Sequence, residues 1–302
     1  MIVPPFLQAG DTVGIVAPAR WVEEKQLRDA IALLGRAGFV VRLGKHIYNK
    51  SRIFAGDDAI RATDMLDMLL DPEIKAILCA RGGYGTGRIV DLIPKSQMQA
   101  HPKWIVGYSD WTVMLLAWNH AGIASIHAPV VTQLTKHSPD VVIKLLKGEI
   151  PALVATDTHP LNRHGTAEGR LIGGNLTLLQ NSIGTPAQPN TRGSILLLEE
   201  IEEQHYRIDR MMLHLKRVGM LEPLAGFAVG AFTDLIPNDP PFELEFQEII
   251  RYYTTEYDYP VGFGLPFGHE APNLPWIMGY PYVLEVSETF VELRPQSSEL
   301  SP

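Results

Sequence analysis

Apolar and polar positions along the first 130 residues follow two alternating rhythms. Short apolar runs at 12–18, 39–43, 74–80 and 104–107 have the length and composition of buried strands. Between them the apolar positions recur with a helical period. Over 24–38, Leu27, Ile31 and Leu34 share one face and Gly38 suits the exit. Over 58–70, Ile60, Met65, Met68 and Leu69 do the same. Further helices are predicted near 87–93 and over 110–121. Strand and helix in this order predict a mostly parallel sheet covered on both faces. Ligands on such sheets sit at the carboxyl ends of the strands. The loops at Pro18, Arg81 and Tyr108 are therefore expected on one rim.

The rhythm degrades after about Leu134. A short helix over 140–147 is followed by Pro151 and the polar stretches 156–160 and 162–165, which read as a linker. The second half opens on the glycine-rich 169–175 and a helix to Ile183. A strand at 194–198, a helix over 206–218 closed by Gly219, a strand at 225–232, a helix over 243–253 and a hairpin over 282–294 follow. Residues after Pro295 are expected to form a disordered tail. The fold class is α/β: an N-terminal parallel-sheet sandwich domain (1–133), a linker (134–168) and a smaller C-terminal α/β domain (169–302).

Composition narrows the functions. A chain of 302 residues with 46% hydrophobic content buries a core that needs no staples. The net charge of -8, with no run of Lys and Arg, argues against nucleic acid as a partner. No stretch approaches about 18 apolar residues, so no membrane span is expected. The N-terminus lacks the basic and apolar regions of a secretory signal. Cys79 stands alone, which fits a reducing compartment, and a cytoplasmic location is the plain expectation.

Candidate chemistry sits on the strand ends. Ser109 lies at a sharp turn between the apolar run ending at Gly107 and a helix, the layout of a nucleophile elbow. The N–H of Asp110 would be a ready oxyanion donor there. A helix N-cap is the plainer role for such a serine. The loop Arg81-Gly-Gly-Tyr-Gly-Thr-Gly87 allows close backbone approach to a ligand, yet it fits neither dinucleotide nor P-loop signatures. Glu199 and Glu200 follow an apolar strand at its carboxyl end, where one acid could orient a histidine; a solvated acidic run is the alternative. Of ten histidines, His127 and His269 are the candidates, and composition does not choose between them. His159 and His164 lack the carboxylates or cysteines of a metal site, so no metal or cofactor is expected.

Five segments in this order resemble the LD-carboxypeptidase family of serine peptidases: 81–85, 107–110, 173–176, 198–200 with 206–210, and 266–269. The openings at 10–18 and 71–77 match as well, so the resemblance covers about 7–279. It implies a catalytic triad of Ser109 as nucleophile, Glu199 as acid and His269 as base, which selects His269 over His127. Glu200 stands where the family usually has Asp. The resemblance also implies an oxyanion hole from the N–H groups of Asp110 and Gly83, with Arg81 and Asn175 as candidate substrate-binding side chains. Arg81, Arg170 or a backbone nest would hold the substrate's terminal carboxylate. The implied substrate is a murein-derived tetrapeptide, cut between an L-centred diamino acid and terminal D-alanine during cell-wall recycling. A homodimer is implied too. Two other readings follow. A microcin-immunity-like peptidase would need an aromatic such as Trp111 or Trp276 to stack on a base. A non-catalytic binding protein would keep the three triad residues apart.

Overall fold

The computed structural model describes residues 1–296. The first half forms β1 (Thr12–Val16), α1 (Glu24–Arg36), β2 (Val40–Leu43), α2 (Asp58–Leu70), β3 (Ile74–Cys79), α3 (Lys95–Ala100), β4 (Trp104–Gly107), α4 (Thr112–His120) and β5 (Ser125–His127). The five strands are parallel in the order β2-β1-β3-β4-β5. β1 and β4 are buried at every position, as continuous apolar runs under helices on both faces must be. β2, at the edge, alternates between exposed and half-buried residues. The chain reverses direction across the sheet between β1 and β3. That switch point places the loops after these two strands side by side.

The helix expected near 87–93 is replaced by two short 3-10 turns, Thr86–Arg88 and Val90–Leu92. Pro94 disfavours the helical conformation at Ile93 and ends the segment there. α3 starts directly after Pro94, and its polar sequence carries no apolar period to announce it.

The second half forms α5 (Pro139–Leu146), β6 (Leu153–Ala155), β7 (Gly165–Asn175), α6 (Leu176–Asn181), β8 (Ser194–Ile201), α7 (His205–Arg217), β9 (Gly226–Thr233), α8 (Phe246–Thr254), β10 (Val261–Gly262), β11 (Trp276–Met278), β12 (Pro281–Val286) and β13 (Val291–Pro295). Seven of these strands make a mixed sheet in the order β10-β9-β8-β7-β12-β13-β6. Within 134–168, β6 pairs with β13 at the sheet edge and β7 begins at Gly165, so part of the polar segment is sheet. β11 crosses back to the first sheet, with Trp276 opposite His127 on β5. The terminal hairpin is present as β12 and β13. Gln296 is tied to Pro281 and Glu168; the tail expected beyond it lies outside the described residues. No helix among the described residues is long and apolar enough to cross a membrane.

The two sheets meet at α4. Seven of its nine residues are buried, because β5 covers one side while α6 and β7 cover the other. The approach depends on Gly173 and Gly174, both at positive φ (141° and 118°). A Cβ on Gly173 would lie 1.8 Å from the Leu197 carbonyl oxygen, and one on Gly174 2.8 Å from Thr112 Oγ1. Only glycines let the end of β7 reach the helix that follows Ser109.

Candidate active site

Ser109 sits between β4 and α4, on a 3-10 turn that precedes the helix. Its φ is +61°, a left-handed conformation that costs an L-residue about 1–2 kcal/mol. The turn is tight enough that a Cβ on Gly107 would lie 2.7 Å from Trp111 Cδ1 and 2.9 Å from Cys79 Cβ. Strand, strained serine and helix form a nucleophile elbow, with the positive end of the helix near the hydroxyl. Gly82, on the loop after β3, packs against it. A Cβ there would come within 3.5 Å of Ser109 Oγ and 3.8 Å of the Asp110 nitrogen.

His269 reaches Ser109 from the other sheet. The loop 265–269 is pinned to β9 by Leu265 N–H donating to the Val229 carbonyl and Ala231 N–H to the Phe267 carbonyl. Gly268 turns at φ +126° and donates its N–H to Asn273 Oδ1. The imidazole lies against Tyr108, with ring centroids 4.6 Å apart. Its Nε2 is 3.0 Å from Ser109 Oγ and its Nδ1 2.6 Å from Glu199 Oε2. A carboxylate at Nδ1 fixes the proton there, so Nε2 accepts from the serine hydroxyl. Burial lowers the pKa of His269, but the Glu199 charge and hydrogen bond, with Glu200 and Glu202 behind them, raise it overall.

The two acids diverge. β8 continues through Ile201, and its pairing with β9 shifts register between Leu198 and Glu200. Glu199, fully buried, points to His269. Glu200 instead accepts from Asn175 Nδ2, the N–H and hydroxyl of Thr177, and the Ile201 N–H. Burial first, then the Glu199 charge, push its pKa up to about 7 against the pull of those donors. Of the two acids, Glu199 is the one in contact with His269.

A cavity of about 300 Å³ opens over Ser109 and His269. Its charged and polar walls come from loops after β1 (Arg20), β3 (Arg81, Gly83), β5 (Gln133) and β8 (Glu202). The loops expected on one rim do share it. Arg81 is half-buried and donates to the Trp21 carbonyl at 3.3 Å. Asn175 does not line the cavity. It is 2% exposed, with its amide spent on Glu200 and on the Leu178 N–H that starts α6. Arg170 lines a separate hollow with Arg192 and Gln296. Trp111 and Trp276 are fully buried and line no part of the cavity. His127 is also fully buried, stacked on Trp276 at 4.8 Å, and neither ring nitrogen has a hydrogen-bond partner among the described residues. Burial, then the His269 charge, lower its pKa to about 3. It packs behind the site as a neutral ring. Sequence reasoning missed Arg20 and Gln133, which lie four and six residues beyond the ends of β1 and β5, and Glu202, which follows directly on β8.

Comparison with known proteins agrees with this architecture. The family models for the LD-carboxypeptidase N-terminal and C-terminal domains match residues 13–128 and 168–284. A probable murein peptide carboxypeptidase of Bacillus subtilis is 35% identical, over 98% of this chain and 95% of its own. The murein tetrapeptide carboxypeptidase of Pseudomonas aeruginosa is 32% identical, over 90% and 92%. The muramoyltetrapeptide carboxypeptidase of Oxalobacter formigenes superposes with a TM-score of 0.85 at 27% identity, covering 93% of this chain and 97% of that one. A microcin self-immunity protein, MccF, shares the fold with a TM-score of 0.85 at 20% identity, over 98% and 99%. With both of its halves matched, the chain belongs to the LD-carboxypeptidase family.

Proposed function

We propose that the protein is a serine LD-carboxypeptidase that releases terminal D-alanine from a murein-derived tetrapeptide through an acyl-enzyme. The observation that carries the reading is the continuous relay Ser109–His269–Glu199, with contacts of 3.0 and 2.6 Å. Residues 1–133 supply the nucleophile, and 169–302 supply the acid and the base.

The chemistry follows from the atoms. Ser109 Oγ attacks the carbonyl of the L-centred residue while His269 Nε2 takes its proton. Glu199 keeps Nδ1 protonated and stabilises the imidazolium that forms. The Asp110 and Gly83 N–H groups receive the oxyanion, each worth about 3 kcal/mol. His269 returns the proton to the departing amine of D-alanine, and water then attacks the ester by the same route. The terminal carboxylate pairs with Arg81 or with Arg20, whose guanidinium has no ion-pair partner among the described residues. Two charged donors of this fork geometry suit a carboxylate. Asn175, expected to touch substrate, has no part in this account because its amide is buried and engaged. The reading also carries a homodimer and a cytoplasmic place in cell-wall recycling, as the family resemblance implies.

The test is D-alanine release from murein tetrapeptide by the wild type and by Ser109→Ala. Turnover by the first and near-complete loss in the second are expected. Equal release by both would overturn the serine mechanism.

A further inference from the structure

Of the six described non-glycine residues at positive φ, Ser109 and Glu202 are the two that line the cavity. Glu202 holds φ +57° directly after β8, with its N–H donated to the Thr233 carbonyl at 3.1 Å. Glycine or asparagine would take this conformation with less strain, and a larger side chain held in it is a placed one. Its neighbour Glu203 is engaged, with a carboxylate 3.8 Å from Arg207 and a carbonyl that accepts from the Ile236 N–H. Glu202 is exposed to the cavity and forms no ion pair with any described residue. The fixed charges on the cavity wall are therefore two guanidiniums, Arg20 and Arg81, and one carboxylate, Glu202. The arginines come from loops of the first sheet and the carboxylate from the second, just past the end of the strand that carries Glu199. A wall with both signs fits a zwitterionic ligand, with Glu202 as the carboxylate facing its cationic part.

Resting on the function proposed above, we propose that Glu202 is a specificity residue whose carboxylate receives the side-chain ammonium of the diamino acid whose carbonyl Ser109 attacks. A second consequence has the same origin. The Glu202 charge helps to raise the pKa of His269, which works against a neutral base. A substrate ammonium at Glu202 offsets that field as it binds, so a cationic substrate supports its own turnover.

The test uses two tetrapeptides, one with the free side-chain amine and one with that amine acetylated. Binding to Ser109→Ala and to Ser109→Ala/Glu202→Gln is measured by calorimetry, and kcat/KM by D-alanine release with the wild type, Glu202→Gln and Glu202→Asp. A charge-assisted contact predicts about tenfold or more in favour of the free amine, a preference abolished by Gln and partly kept by Asp. An unchanged preference in Glu202→Gln overturns the proposal, as does equal binding of both peptides, or of neither, to Ser109→Ala. If Glu202 acted only through His269, its loss would shift the pH profile equally for both peptides and leave the ratio intact, which also overturns it. Glu202-dependent binding without D-alanine release by the wild type would retain the ammonium site and reject the proposed reaction. Release from both peptides with a Glu202-independent ratio would do the reverse.

Discussion

Replacing Glu199 by Gln removes one charge and almost no volume from a fully buried position. In the wild type the carboxylate accepts the Nδ1 proton at 2.6 Å and leaves Nε2 free to accept from Ser109. A glutamine amide can donate to Nδ1 instead, which moves the ring proton to Nε2 and points it at the nucleophile. The imidazolium of the transition state also loses its counter-charge. Together these predict a fall in kcat of about 10³–10⁴, or roughly 4–5.5 kcal/mol of barrier. The pH profile gives an independent reading. His269 is raised above its ordinary value, and only its neutral form is a base, so wild-type activity appears as pH rises through that raised pKa. Without Glu199 the acid limb moves to lower pH while the plateau falls. Stability should change little, since Glu199 Oε1 has no hydrogen-bond partner among the described residues and a neutral isostere relieves a buried charge. The assay is kcat/KM for D-alanine release between about pH 5 and 9, with thermal denaturation as control. A folded Glu199→Gln protein that keeps more than about a tenth of kcat, or whose acid limb stays in place, would refute the relay. So would an equal loss in Glu200→Gln paired with an unmoved limb in Glu199→Gln.

Glu200, raised to about 7, binds its proton more tightly folded than unfolded, so its contribution to stability is greatest below about pH 4.5 and is lost as pH rises through 7. Glu200→Gln should remove a pH-dependent difference on the order of 3 kcal/mol, read from urea melts at pH 5 and 8. Gly107→Ala drives a methyl into Trp111 and Cys79; about 1–3 kcal/mol of stability and most of kcat should go, by thermal melts and D-alanine release. Retained activity would show that the elbow tolerates a side chain there. Asn175→Ala removes the α6 cap and a donor to Glu200, so Tm should fall by an amount matching about 1–3 kcal/mol while KM stays unchanged. A raised KM with unaltered Tm would return Asn175 to the substrate site. Since every step is assigned to side chains and backbone N–H groups of the protein, EDTA should leave the rate of D-alanine release unaltered, and a chelator-sensitive rate would count against the mechanism.

The strands of the first half were legible because parallel strands under two helical layers are apolar throughout, and β1, β3 and β4 read that way. The elements that escaped are those decided by tertiary pairing. β6 is three residues with no period of its own, held in the sheet by its pairing with β13. β8 was expected to stop at 198 because acids usually leave a strand for solvent, yet it runs on to Ile201 with both acids buried. Burial of a carboxylate needs specific donors, and those of Glu200 come from Asn175 and Thr177 on the neighbouring strand and helix. No local pattern reports them. Asn175 shows the same limit: the motif marks a residue that matters without saying whether it faces substrate or, as its bond to Glu200 has it, another side chain.

Convergence is the other property that local sequence does not carry. Ser109 and His269 are 160 positions apart, and Glu199 and His269 are 70 apart. The motifs name the three residues, but their meeting is set by how closely the two sheets approach. That distance is governed at Gly174, where a methyl would collide with Thr112 on α4, while a methyl on Gly173 would collide with Leu197 on the paired strand β8. The glycine pair, which carries no chemistry, therefore belongs to the site as much as the histidine does. A Cβ at Gly174 would push β7 from α4, and β8, paired along its length with β7, would carry Glu199 away with it. The relay is thus a read-out of inter-sheet distance, which explains how a serine, a loop histidine and a buried acid from separate halves of the chain come to be joined by contacts of 3.0 and 2.6 Å.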